Sequence, residues 1–248
     1  MHNLQYFDQL QDVMIRSGRL VMQYFGKDFQ IFEKGHHSIV TAVDLENEQF
    51  LKDELAKIMP EAGFCAEESG LSGVQSDWIW VIDPLDGTKN FVKGIPHFCI
   101  MIALTYKDNP VLSAIYIPTT QQFYYAQEGK GAWLNGLRIE SIDRSMKSKI
   151  AIVDCSVVDV QKIKLKLKEN KIQISRRCFG SAGVDAVYLA PGAIDLMIFR
   201  DVAWWDVAAG MLLIQQAGGL ICNYQKSVKK MGHGTLQAGN KLFFDDFS

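Results

Sequence analysis

Leu4, Phe7, Leu10, Met14, Val21 and Phe25 recur at helical spacing and predict an amphipathic first helix that ends near Gly26. Residues 27–40 break that period and read as polar, irregular chain containing Lys34, Gly35 and the pair His36-His37. A second helical pattern passes through Leu55 and Ile58 and is closed by Pro60 and Gly63. Asp44, in Thr41-Ala42-Val43-Asp44-Leu45, stands where the N-cap of that helix belongs. A short apolar run leads into Ala66-Glu67-Glu68-Ser69-Gly70. Successive side chains of extended chain point to opposite sides, so at most one of Glu67 and Glu68 is expected to face a shared site. Trp78 to Ile82 are aromatic or β-branched and predict a buried strand, which Pro84 ends because it has no N–H for the ladder. Runs 98–106, 111–117 and 122–126, separated by Lys107-Asp108-Asn109-Pro110 and Pro118-Thr119-Thr120, predict an antiparallel meander. Residues 129–136 read as a glycine-punctuated turn region.

Ser141 to Lys149 is polar enough to join two halves, residues 1–145 and 146–248. In the second half, Ile150–Val158 reads as a strand, and 160–171 fits either period, with the flanking strands favouring a helix. Ile172–Ser175 reads as a strand, Arg176–Gly183 as a turn into a helix, and 193–199 as a strand after Gly192. Asp206 stands ahead of a helix over 207–217 that Gly218-Gly219 stops, and a strand over 220–224 follows. The front half is thus α+β and the back half α/β, with no internal repeat or low-complexity tract.

Composition narrows the class. A chain of 248 residues, 48% hydrophobic and 22% charged, is an ordinary globular protein able to bury a substantial core. A net charge of −2 and a pI near 6.2 argue against a general nucleic-acid or membrane-surface binder. Cysteines 65, 99, 155, 178 and 222 are odd in number and form no CxxC pair, which suits small core residues of a reducing compartment. No apolar run reaches membrane-spanning length and the first residues carry no signal-type core, so a cytoplasmic location is expected. The lysines of 162–168 read as a solvated face rather than a nucleic-acid surface, His36, His37 and His97 as hydrogen-bonded loop residues, and the five tryptophans as packing.

Candidate chemistry concentrates in Asp83-Pro84-Leu85-Asp86-Gly87-Thr88. Where the chain curls, Asp83, the Leu85 carbonyl and Asp86 can converge as hard oxygen donors suited to Mg²⁺. Gly87 allows close approach to a ligand, and the amides that follow can open a helix whose start favours an anion. A cation site beside an anion site suggests phosphate chemistry. Asp44, Glu67 and Asp206 are the further acids that can join: two Mg²⁺ ions need a bridging acid, here Asp83, with Glu67 on one side and Asp86 with Asp206 on the other.

Thr41-x-x-Asp44, Glu67-Glu68, Asp83-Pro84-Leu85-Asp86-Gly87-Thr88 and Trp205-Asp206-x-Ala208-Ala209-Gly210 stand in an order that resembles the inositol monophosphatase family over roughly residues 34 to 240. The resemblance implies a layered αβαβα sandwich of the inositol monophosphatase/fructose-bisphosphatase type. It implies hydrolysis of a phosphate monoester with two or three Mg²⁺ per site, lithium sensitivity and a homodimer. The metal ligands it implies are Glu67, Asp83, the Leu85 carbonyl, Asp86 and Asp206, with Thr88 and Asp44 orienting and deprotonating the attacking water beside Glu67. Leu85, Asp86, the amides of Gly87 and Thr88, the loop Gly180-Ser181-Ala182, and Asp206 border the substrate, while Glu68 backs the ligands and Lys34 lies on the phosphate side. One position departs from the pattern. Seven residues before Asp206 the family's inositol binders carry Glu, and here stands Phe199, which accepts no hydrogen bond from ring hydroxyls. Arg176, Arg177 or Arg200 can instead meet a second phosphate, as in a 3′(2′),5′-bisphosphate nucleotidase or sugar bisphosphatase. Lys89 matches the nucleotidase branch and Gly94-Ile95-Pro96-His97-Phe98 the inositol branch. Inositol 1-phosphate or a similar polyol phosphate is the first expectation. A binding role with transcription or ribosome-assembly machinery, seen on this fold in bacteria, is the alternative of a different class.

Overall fold

A computed structural model of the chain describes residues 6–34, 38–73, 75–141, 148–154, 173–222 and 234–239. Helix α1 (Phe7–Met22) buries Leu10, Val13, Met14, Ser17, Gly18 and Val21, the three-and-four spacing that lines one face. Helix α2 (Ala42–Ile58) buries Leu51 and Leu55 in its later turns but Asp44, Asn47 and Glu48 in its first two, so one face is half core and half polar. The stretch between them, expected to be irregular, forms a hairpin of β1 (Ile31–Lys34) and β2 (Ser38–Thr41) with Phe32 opposite Val40. Strands this short, the first without an inward-facing set, leave no alternation to read.

The strand that carries the Asp83–Asp86 stretch is β5 (Trp78–Asp86). Its side chains alternate between two cores, Trp80 and Ile82 packing with α1 and α2, Ile79 and Val81 on the opposite face. Burial on both faces explains its continuous apolar run. Around it lie β3 (Gly63–Ala66), β4 (Gly70–Ser72), β6 (Cys99–Tyr106), β7 (Asn109–Ile117), β8 (Gln122–Gln127), β9 (Gly131–Leu134) and β10 (Leu137–Ile139). The sheet order is β10-β9-β8-β7-β6-β5-β3-β4, antiparallel except for β3 beside β5. The meander is as read, while the glycine-rich 129–136 is a strand and a turn, Asn135-Gly136, leading into β10.

The back half carries a second sheet, ordered β12-β11-β13-β15-β14 from β11 (Ser148–Asp154), β12 (Gln173–Arg177), β13 (Leu196–Val202), β14 (Leu220–Cys222) and β15 (Gly234–Gly239). Arg176 and Arg177 are therefore exposed strand residues, not part of the turn. β13 starts later than read because Asp195 is engaged beforehand, exchanging hydrogen bonds with the Ile150 backbone. Helices α4 (Ala182–Leu189) and α5 (Trp204–Ala217) sit between the sheets and share one core with Val81, Met101 and Ala126 on one side and Met197, Leu236 and Ala238 on the other. Burial on both sides makes α5 apolar nearly all round. The described layers run helices, sheet, helices, sheet. The proposed helix over 160–171 with its lysine row, His36-His37, and the last residues 240–248 lie outside the described residues. Within them, no helix is long and apolar enough to cross a membrane.

Candidate active site

The strand β5 does not stop at Pro84, as expected, but runs to Asp86 across a bulge that shifts register between Asp83, opposite Met101, and Asp86, opposite Cys99. A bulge tolerates a proline inside a sheet and re-aims the side chains that flank it. Each polar group of the bulge backbone is held. Asn47 Nδ2 donates to the Pro84 carbonyl at 2.7 Å, the Leu85 amide donates to Asp83 Oδ1 at 3.1 Å, and Thr88 Oγ1 donates to the Leu85 carbonyl at 3.0 Å. Gly87 then turns the chain at φ 90°, where a Cβ would fall 2.9 Å from the His97 carbonyl, so the position requires glycine. It opens the short helix α3 (Thr88–Val92), which no side chain caps.

Asp44 is not the N-cap of α2. Thr41 holds that place, its hydroxyl accepting from the Val43 and Asp44 amides, while Asp44 in the first turn accepts from the Thr41 amide at 2.7 Å and from the Thr41 hydroxyl. This reciprocal pair is a capping box. The other oxygen, Oδ1, accepts from Thr88 Oγ1 at 3.0 Å. A hydroxyl has one proton, so Thr88 donates either to Asp44 or to the Leu85 carbonyl at any moment. Burial raises the Asp44 carboxyl above its usual range, and the Thr41 and Thr88 donors oppose that rise.

Glu67 follows β3 and is tied beside the end of β5 by its amide on the Ile82 carbonyl at 3.1 Å. Glu48 of α2 fixes the next two residues, accepting from the Glu68 amide at 2.7 Å and the Ser69 amide at 2.9 Å. Glu67 and Glu68 share a partner: Lys34 of β1 lies 3.5 Å from Glu67 and pairs with Glu68. The chain turns immediately after β3, so a strand's alternation does not apply there. Burial, then the Glu68 charge, pushes Glu67 up to about 8 against the pull of Lys34.

Asp86 is held by four donors. It accepts from Ser181 Oγ at 2.5 Å, Gly183 N at 2.7 Å, Ala182 N at 3.2 Å and Cys99 Sγ at 3.4 Å. Gly180-Ser181-Ala182 is thus brought to β5 from about a hundred positions away, and Asn90 Nδ2 pins the same loop through the Phe179 carbonyl at 2.7 Å. Ser181 is also the N-cap of α4, accepting from Val184 N at 3.2 Å. Asp206 lies in the first turn of α5, not before it, and accepts from the Ala203 amide at 2.9 Å.

Among the described residues, no three His, Cys, Asp or Glu side chains already stand together as a metal cage. The acids are spread over donors of their own chain, yet their charges overlap. Asp83 is raised well above its usual range by burial, then by Glu67, Asp86 and Asp206, and Asp206 also raises Glu67. Burial raises Asp86 too, against its four donors. Buried, mutually repelling carboxylates, met by Lys34 at the Glu67–Glu68 edge, are a hard-oxygen set short of positive charge, which fits a divalent cation such as Mg²⁺.

The structure gathers Asp44, Glu67, Asp83, Leu85, Asp86, Gly87, Thr88 and the 180–182 loop at one end of β5, with Asp206 within electrostatic reach. It does not bring Phe199 there: this side chain is 3% exposed within the core shared by the two sheets. The side chains of Arg200 and Asp201 lie outside what is described. Sequence reasoning missed Asn47, Glu48, Asn90 and Cys99. Asn47 and Glu48 follow Asp44 by three and four positions, so extending the α2 face by one turn would have found them.

The sequence profile described as the inositol monophosphatase family matches residues 3–245. The chain is 31% identical to the fructose-1,6-bisphosphatase/inositol-1-monophosphatase of Aquifex aeolicus, over 99% of this chain and 95% of that protein. It is 35% identical to the Nus factor SuhB of Pseudomonas aeruginosa, over 86% of this chain and 82% of that protein. Among solved structures, an IMPase from Thermotoga maritima superimposes with a TM-score of 0.83 at 28% identity, covering 98% of this chain and 94% of the other.

Proposed function

The chain belongs to the inositol monophosphatase family, and on that premise we propose that it is a Mg²⁺-dependent phosphatase acting on inositol 1-phosphate or a similar polyol phosphate monoester. Family membership supports a phosphatase that needs a metal. The observation that carries the finer reading is the overlap of the Glu67, Asp83, Asp86 and Asp206 charges at the end of β5.

In this reading Glu67, Asp83, the Leu85 carbonyl, Asp86 and Asp206 hold two or three Mg²⁺. Held there, such cations would make a bound water more acidic and offset the charge of phosphoryl oxygens. Thr88 Oγ1 orients the attacking water and accepts its proton as the hydroxyl's own proton passes to Asp44 Oδ1, 3.0 Å away. Asp44 suits the task because burial has made it a stronger base than an exposed carboxylate. The amides of Gly87 and Thr88, at a helix start no side chain fills, receive the phosphate. Gly180, Ser181 and Ala182 border the leaving alcohol, and Lys34 offsets part of the negative charge of Glu67 and Glu68. Lithium inhibition, a homodimer, a cytoplasmic location and a working division near residue 145 between a metal-holding front and a substrate-loop back belong to the same proposal. No Cys, His or Ser serves as a covalent nucleophile in it.

Phosphate release from inositol 1-phosphate, assayed against Mg²⁺ with Asp83→Asn and Asp206→Asn, tests the reading. Both variants are expected to lose activity by about a hundredfold or more, and full activity in either ends the ligand assignment.

A sugar bisphosphate is the second substrate reading, favoured by the name of the Aquifex relative and by exposed Arg176 and Arg177 on β12. Comparing kcat/KM for inositol 1-phosphate, fructose 1,6-bisphosphate and a 3′,5′-nucleoside bisphosphate decides among the three. The SuhB relatives' designation as Nus factors supports asking whether the chain also binds transcription machinery, which a pull-down with Asp83→Asn addresses independently of catalysis.

A further inference from the structure

We infer that Asn47 is a positioning residue for the Asp83–Asp86 pair, oriented in turn by Ser17; the inference rests on the metal-dependent reading above. A backbone carbonyl only accepts, so the Asn47 amide nitrogen must face Pro84 O, 2.7 Å away. Its Oδ1 then faces Ser17 Oγ, which donates at 2.7 Å from α1. Both side chains are 0% exposed, so water does not replace either bond.

The physical link to the acids is a single peptide unit. The carbonyl of Pro84 and the amide of Leu85 are opposite edges of one rigid plane. Asn47 holds the carbonyl edge and Asp83 Oδ1 holds the amide edge at 3.1 Å. Proline's fixed φ leaves Pro84 ψ and Leu85 φ, the two torsions that turn this plane, among the soft torsions between the two acids. With Asn47 in place the plane has one setting, and Asp83 takes its orientation from it. Without Asn47 the plane can turn and draw the Asp83 carboxylate with it, while Asp86 stays with Ser181 and Gly183.

The rest of the α2 face supports this. Asp44 holds Thr88, Asn47 holds Pro84, and Glu48 holds the amides that follow Glu67. Consecutive turns of one helix thus set the register of the two chain segments, 67–69 and 83–88, that carry acids. Neighbouring buried positions on that face, Val43 and Leu51, are apolar. A buried amide there is expensive unless its partners need it.

Asn47→Ala removes the donor. Asn47→Asp keeps the shape but has nothing to donate to Pro84 O. Ser17→Ala removes only the orienting bond. Each is compared with the wild type for Mg²⁺ affinity by calorimetry, for hydrogen exchange over residues 83–88 without metal, and for kcat and KM separately. The Asn47 variants are expected to bind Mg²⁺ about tenfold more weakly or worse, to lose kcat more than KM, and to exchange faster over 83–88. Ser17→Ala shifts all three the same way by less, and it carries the test should the Asn47 variants not fold. A fall in Tm alone, with Mg²⁺ affinity and kcat kept within about twofold of wild type, overturns the inference, because a merely structural amide would behave so. Wild-type protein that binds no Mg²⁺ overturns the metal reading first and this inference with it.

Discussion

Four helix starts surround the end of β5, and they are of two kinds. At α2, α4 and α5 the first amides are given to acids of the chain itself: Thr41 N to Asp44, Ala182 N and Gly183 N to Asp86, Ala203 N to Asp206. At α3 no side chain takes that role, and the residue at its start is Gly87. The same device, amide donors aimed at an oxyanion, fixes internal carboxylates three times and is left without a capping side chain once, at the start proposed above for the phosphate. What separates the two kinds is the presence of an acid or hydroxyl at the right offset. The fold thus holds its acids by hydrogen bonds without pairing most of them with a cationic side chain, and burial with mutual repulsion raises Glu67 and Asp83.

The sharpest way to break this contrast is to crowd the open start. Gly87→Ala places a methyl group 2.9 Å from the His97 carbonyl and 3.2 Å from Ser181 Cβ at a φ of 90°. Loss of kcat/KM by about a hundredfold to a thousandfold is expected, with Mg²⁺-induced thermal stabilisation retained. Loss of both together would mean that the phosphate and metal sites are not separable.

A smaller effect probes the filled starts. Asp83→Asn removes one of the repelling charges, so the metal-free variant is expected to melt a few degrees above metal-free wild type, while the rise on adding Mg²⁺ shrinks. The pH dependence has a definite sign. Glu67 is raised to about 8 and Asp83 is raised as well, so their contribution to metal-free stability is whole below the ordinary carboxylate pKa near 4.3 and is lost as pH rises toward about 8. Melting curves from pH 5 to 9 should fall without metal and flatten with Mg²⁺. A metal-free profile flat over that range contradicts the repulsion described for these acids.

The far end of α2 supplies the smallest effect. Glu54 pairs there with Arg16 at 2.6 Å and with Lys57 at 2.5 Å, and these partners hold it down to about 2. Its contribution is present above the ordinary carboxylate pKa and is lost as pH falls through about 2. Lys57 and Arg16 are both substantially exposed, so Glu54→Gln should cost at most about 1 kcal/mol by urea denaturation and leave activity unchanged. A larger loss would show that solvent screens α2 less at that end than its exposure suggests.

Much of this site was legible because it is local. Asp83 to Thr88 is one contiguous stretch, and its strand, glycine turn and helix follow from residue type alone. The meander and the glycine stop of α5 were readable for the same reason. The misreadings share a cause, which is tertiary pairing. Pro84 does not end β5 because β6 accommodates a bulge, a feature set by the neighbour and not by the proline. Asp44 looked like a cap and Asp206 like a residue ahead of its helix, since an acid that reaches back to the amide three residues earlier has the same sequence spelling. The bond between Ser181 and Asp86 spans 95 positions, beyond any window of periodicity.

Helix α5 is a party wall. Its apolar surface belongs to the hydrophobic packing of both sheets at once, while its first turn carries Asp206. Sliding one sheet over the other would drag that acid out of alignment, so thermal drift of the scaffold and geometry of the acid pocket are mechanically one degree of freedom. Engineering of selectivity is therefore best confined to rim loops, where a residue can be exchanged without tugging on a beam that two floors rest upon.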